Sequence, residues 1–124
     1  GLDRVVAITD SIMAAGLPDG KYKLGVNDVV VEDGDAKLAE NGVRAGSTLT
    51  QNVALKNLLK FTGKSLEEIL PLLTENPANL IKIADHKGFI ADGMDADLVV
   101  LDPDFEVFDT FVGGRTVTSE DSNI

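Results

Sequence analysis

The chain has 124 residues, with 11 Lys and Arg against 21 Asp and Glu, a net charge of −10, 44% hydrophobic residues, and neither Cys nor Trp. Its length fits one globular domain that can bury about two thirds of its unfolded surface. The charge argues against nucleic acid and anionic membrane as partners. The missing Cys excludes disulfides, thiolate chemistry and cysteine zinc sites, and a single His, His86, excludes a histidine-rich metal centre made by this chain alone.

The chain opens almost at once on Val5-Val6-Ala7-Ile8, closed by Thr9-Asp10. A continuous apolar run of this kind reads as a strand buried on both faces of a parallel sheet. A chain that begins on such a strand is expected to be a piece of a larger protein. A loop from Ser11 to Gly20 follows, with Gly16, Pro18 and Asp19-Gly20 as turn signals. Tyr22 to Leu24 reads as a short strand. Val29-Val30-Val31 and Ala36-Lys37-Leu38 flank Glu32-Asp33-Gly34-Asp35 and predict a hairpin. A second glycine-bearing loop runs from Glu40 to Ser47.

Helices come next. Thr48 with Gln51 fits a capping box, and Leu49, Val53, Leu55, Leu58, Leu59 and Thr62 make an apolar stripe that Gly63 can close. Ser65 and Glu68 form a second capping box before Leu66, Ile69, Leu70 and Leu73, and Pro71 should bend that helix. Asn76-Pro77 reads as an N-cap with proline at the first helical position, starting a helix through Leu80, Ile81 and Ile83. The tail turns to strand: Leu98-Val99-Val100-Leu101 reads as a second buried strand, and residues 105–112 and 115–118 flank a Gly113-Gly114 hairpin turn, with a frayed end from Ser119. No apolar run approaches the length of a transmembrane helix and no signal peptide is seen, so a cytoplasmic protein is expected.

Few residues carry chemistry. Asp10 ends an apparent buried strand, where parallel α/β folds place active-site groups. There it could act as general base or metal ligand, and the alternative is an Asx-turn or helix cap. Residues 42–48 form a glycine-bearing loop opening a helix, able to hold an oxyanion or simply to cap the helix. They lack the phosphate-loop pattern. His86 lies in a loop as Asp85-His86-Lys87-Gly88 and is read as non-catalytic.

Two stretches taken together go further. Residues 8–22, Ile-Thr-Asp-Ser-Ile-Met-Ala-Ala-Gly-Leu-Pro-Asp-Gly-Lys-Tyr, and residues 45–50, Ala-Gly-Ser-Thr-Leu-Thr, resemble the C-terminal third of the N-acetylglucosamine-6-phosphate deacetylases of the amidohydrolase superfamily. Asn76-Pro77-Ala78, Lys87-Gly88 and residues 92–102, Asp-Gly-Met-Asp-Ala-Asp-Leu-Val-Val-Leu-Asp, resemble the superfamily's closing segment. The resemblance implies an α/β chain that is the C-terminal part of a metal-dependent (β/α)8 barrel (last barrel strand Val5 to Ile8, hairpin and helices, residues 1–84). Residues 85–124 would be the C-terminal strands of a small β-sandwich domain.

The same resemblance implies the chemistry. Asp10 matches the catalytic aspartate, which takes a proton from metal-bound water as it attacks the acetamide carbonyl and then protonates the departing amine. Arg44, Ala45 and Gly46 match a substrate-contacting loop. Arg44 is not the usual residue there, so a contact at 44 is expected through the backbone. The divalent metal (zinc or similar) would be held by ligands outside this chain, as would most of the phosphate-binding residues. Expected partners are an amino-sugar phosphate and further copies in a homo-oligomer, with no nucleic acid and no membrane. Two other readings remain: a different amidohydrolase-superfamily hydrolase, and a non-enzymatic module that associates with itself.

Overall fold

The computed structural model describes residues 1–117. They divide into two compact units: residues 8–54, and residues 1–7 together with the described residues from 55 onward.

The unit of residues 8–54 is built on a three-stranded antiparallel sheet, β1 (Gly20–Leu24), β2 (Asn27–Glu32) and β3 (Asp35–Leu38), in the order β1-β2-β3. Glu32 pairs with Asp35, leaving Asp33 and Gly34 as a two-residue turn with φ of 51° and 73°. Positive φ at both positions is what a type I′ hairpin turn requires, and it matches the right-handed twist of the strands. The Asp19 carboxylate accepts the N–H groups of Asp33 and Gly34 and holds this turn from outside. The alternation of β2 puts Val29 and Val31 on one face, fully buried with Ala14, Ala36 and Ala45, while Ile12, Tyr22 and Leu38 pack around them. Burial of a valine side chain contributes about 1.5–3 kcal/mol.

In the other unit, the part of α1 (Gln51–Thr62) from Leu55 onward turns Leu55, Leu58 and Leu59 to one side, the i, i+3, i+4 spacing of a helical stripe. They meet Ile69 and Leu72, from α2 (Leu66–Ile69) and the 3-10 turn Leu70–Leu72, and also Leu2, Ala7, Leu101 and Phe105. Gly63 closes α1 at φ +65°, its N–H donating to the Leu59 carbonyl at 3.0 Å. The capping box of α2 forms, with Glu68 accepting the Ser65 N–H at 3.0 Å. A short helix α3 (Glu75–Leu80) follows. Strands β4 (Leu98–Leu101), β5 (Val107–Val112) and β6 (Arg115–Thr116) make a second antiparallel sheet, with a bulge between Val100 and Leu101. Val112 pairs with Arg115 across Gly113-Gly114, the expected turn. Thr118 and the segment from Ser119 lie outside the described residues.

Five expectations are corrected. Val5 to Ile8 is extended chain, not a strand: among the described residues it has no ladder partner beyond the Ala7 N–H bond to Leu72, and Ile8 is 74% exposed. Apolar sequence alone cannot make a strand without a neighbour to accept its hydrogen bonds. Leu98–Leu101 is a strand but not a buried one, since Val99 is 58% exposed and β4 pairs only with β5 among the described residues. Pro71 ends α2 rather than bending it, because the chain tightens into the 3-10 turn at Leu70–Leu72. Thr48 does not cap α1, which starts at Gln51; its hydroxyl donates to the Gly34 carbonyl. Asn76 lies inside α3 and Pro77 is its third residue, the Asn76 amide reaching back to the carbonyls of Leu2 (2.8 Å) and Val5 (2.7 Å) instead of capping, and α3 stops at Leu80, short of Ile81 and Ile83.

Candidate active site

The residues singled out for chemistry fall in the unit of residues 8–54. Residues 43–45 run antiparallel to β3: the Leu38 N–H donates to Val43, the Ala45 N–H donates to Ala36, and Arg44 bridges Lys37. This pairing extends the sheet by one edge and delivers Gly46 and Ser47 beside the loop of Thr9, Asp10 and Ser11. Ser47 and Ser11 form a parallel bridge.

The contact is a backbone zipper. The Ser47 N–H donates to the Asp10 carbonyl at 2.8 Å, and the Ile12 N–H donates to the Ser47 carbonyl at 2.9 Å. The Ser47 hydroxyl donates to the Thr9 carbonyl, and the Ser11 hydroxyl to that of Leu49. Asp10 itself has φ of +51°, a left-handed conformation uncommon for residues other than glycine, though least so for Asp and Asn. Gly46 also has positive φ, +65°, and a Cβ there would stand 2.8 Å from the Asp10 carbonyl oxygen. Glycine is thus required twice at 46, by its φ and by the approach of the loop. The Asp10 side chain is exposed and forms no hydrogen bond or ion pair within the described residues.

Arg44 extends along the surface, its Nη2 3.1 Å from Asp35 Oδ1, while Lys37 Nζ sits 3.1 Å from Asp35 Oδ2. Arg44, Gly46, Ser47 and Asp35 line an open cleft of about 280 Å³. Ala45 turns the other way, 6% exposed within the cluster under the sheet. Gly46 thus stands beside Asp10 and also lines the cleft with Arg44, while Asp10 is not among the residues lining the cleft and the Ala45 side chain does not face it. Sequence reasoning missed Asp35 and the role of Ser47. Ser47 stood inside a recognised stretch, but its partner lies 38 residues away.

His86 lies in the other unit, with Nδ1 2.7 Å from Asp85 Oδ1; that hydrogen bond holds the Asp85 carboxyl below its ordinary range. Among the described residues, three or more His, Cys, Asp or Glu nowhere gather as a set able to hold a metal ion. Asp10 alone does not make a metal centre. No helix among them is long and apolar enough to cross a membrane.

Residues 11–117 match the amidohydrolase family, and the chain belongs to that family. It is 39% identical over 115 residues to the N-acetylglucosamine-6-phosphate deacetylase of Bacillus subtilis, covering 93% of this chain and 29% of that protein. Among solved structures, the N-acetylglucosamine-6-phosphate deacetylase of Thermotoga maritima is 43% identical with a TM-score of 0.82, over 92% of this chain and 31% of that one. A variant of the Mycobacterium smegmatis N-acetyl-D-glucosamine-6-phosphate deacetylase, in complex with N-acetyl-D-glucosamine-6-phosphate, is 33% identical with a TM-score of 0.83, over 94% and 31%. The chain thus spans about three tenths of the length of these relatives.

Proposed function

We propose that this chain is the C-terminal part of an enzyme that hydrolyses the N-acetyl group of N-acetylglucosamine 6-phosphate, giving glucosamine 6-phosphate and acetate. The observation that carries this reading is the likeness along nine tenths of the chain to proteins bearing that name. The approach of the Asp10 loop to Gly46-Ser47 supports it, because it joins the two stretches from which the resemblance was drawn.

In this reading Asp10 carries the proton. Its exposed carboxylate takes a proton from the water that attacks the acetamide carbonyl, and returns it to the amine as the C–N bond breaks. One group can do both because the nitrogen gains a proton as the carbonyl carbon gains oxygen. The loop of Arg44, Ala45 and Gly46 contacts the sugar, Arg44 through its backbone. The divalent metal of the family, zinc or similar, binds to residues outside this chain. Residues 1–84 belong to a (β/α)8 barrel, in which the extended segment Val5 to Ile8 would gain from the rest of the enzyme the neighbours it needs to become the eighth strand, and residues 85–124 belong to a small β-sandwich. The enzyme works in the cytoplasm as a homo-oligomer. The test is acetate release from N-acetylglucosamine 6-phosphate by the whole protein; a purified, metal-supplied protein that releases none overturns the reading.

A further inference from the structure

We infer that Ser47 is a positioning residue for Asp10, gripping both peptide groups that flank the Asp10 α-carbon and so aiming its carboxylate. The inference rests on the reading of Asp10 as the proton carrier. The peptide before Asp10 contains the Thr9 carbonyl, which accepts the Ser47 hydroxyl. The peptide after it contains the Asp10 carbonyl, which accepts the Ser47 N–H at 2.8 Å. Two peptide planes held from one residue leave the φ and ψ between them little freedom. That φ is +51°, in the left-handed region that Asp enters more readily than most residues, and the two bonds from Ser47 hold it there. The direction of Cα–Cβ follows from φ and ψ, and with it the region the carboxylate can sweep.

Among the described residues no other side chain holds both peptides; the Thr9 hydroxyl accepts the Ser11 N–H at 3.3 Å and so engages only the peptide after Asp10. Ser11 donates forward to Leu49, and Thr48 donates to Gly34, away from the loop. The Ser47 hydroxyl is also engaged as an acceptor, from the Leu49 N–H at 3.1 Å, so it is a brace and not a nucleophile. The competing explanation is that Ser47 only stabilises the turn into α1. A turn-former affects folding and leaves the action of Asp10 alone; a positioning residue acts through Asp10 and has nothing to contribute once Asp10 cannot carry a proton.

A double-mutant cycle in the whole protein separates the two, with acetate release from N-acetylglucosamine 6-phosphate as readout. Misplacing a catalytic group by about 1 Å can cost about a hundredfold in rate. Ser47→Ala is expected to lower kcat at least about tenfold with KM within about threefold, while Ser47→Thr, which keeps the hydroxyl, stays within about threefold of the parent. In the Asp10→Asn background, Ser47→Ala is expected to change kcat by less than about twofold. If Ser47→Ala does not fold, Ser47→Cys, a similar shape with a weaker donor, replaces it under the same expectations. Parent-like kcat in the Ser47 variant, or an equal loss in both backgrounds, overturns the inference. Parent-like turnover in Asp10→Asn alone overturns instead the reading of Asp10 on which it rests.

Discussion

The backbone of Gly46 passes so close to Asp10 that a Cβ at 46 would lie 2.8 Å from the Asp10 carbonyl oxygen and 2.7 Å from Ile12 Cγ2. The first of these neighbours is backbone and cannot swing aside. Gly46→Ala is therefore expected to destabilise the whole protein by at least about 1–3 kcal/mol from the left-handed φ alone, and to lower turnover by displacing Asp10. Urea denaturation and acetate release measure the two effects; a variant with parent-like stability would show that the two loops do not pack this closely.

Asn76 ties α3 to the start of the chain through two hydrogen bonds, to the carbonyls of Leu2 and Val5. A typical intramolecular hydrogen bond contributes about 0.5–1.5 kcal/mol net. Asn76→Ala is expected to cost about 1–3 kcal/mol by the same accounting, read as a lower urea midpoint with unchanged slope. An unshifted midpoint would mean that water replaces both bonds without loss.

Lys87 lies between Asp95, at 2.8 Å, and Asp97, whose other oxygen accepts the Gly113 N–H at 2.8 Å. The bonds to Asp95 and then Asp97 raise the Lys87 pKa, and the bonds from Lys87 and then Gly113 lower that of Asp97. The Asp97 contribution is present above its ordinary value of 3.8 and is lost as pH falls through the depressed folded value. The Lys87 contribution is full below 10.5 and is lost as pH rises through the elevated folded value. Tm should fall at both extremes, and Lys87→Met should flatten both limbs. Melting curves of parent and variant across pH test this; identical limbs would remove the cluster from the stability of the β4–β6 sheet.

Phe108 and Val112 share one face of β5, and Val99 lies opposite Thr110 on that same face; their exposures are 80%, 58% and 58%. Contiguous apolar surface of this kind seeks a partner. The 124-residue chain by itself is expected to form dimers or larger species by light scattering, and Phe108→Lys to shift it towards monomer. A monomeric parent chain at high concentration that binds no apolar dye would contradict this.

The parts of the fold that could be read from sequence are those decided locally. Asp33-Gly34 and Gly113-Gly114 form turns because their φ values are positive, and the spacing of Leu55, Leu58 and Leu59 gives α1 its buried side. The misreadings share a distant cause. Thr48 and Asn76 look like caps, yet their side chains bond carbonyls 14 and 74 residues away. Val5 to Ile8 has the composition of a core strand, but a strand also needs a neighbour, which no local pattern supplies. At the site, both stretches around Asp10 and Gly46 were visible in the sequence. Their pairing through Ser47 was not, because it is a long-range register.

The proposed role of Asp10 as proton carrier is tested most directly by one substitution. Asp10→Asn keeps the shape and the capacity for a left-handed turn, and removes the base. In the whole, folded, metal-loaded protein, turnover of N-acetylglucosamine 6-phosphate should fall at least about a hundredfold, within the range general acid–base catalysis supplies, with substrate binding little changed. Turnover near that of the parent would contradict the account and leave Asp10 as a residue of the turn.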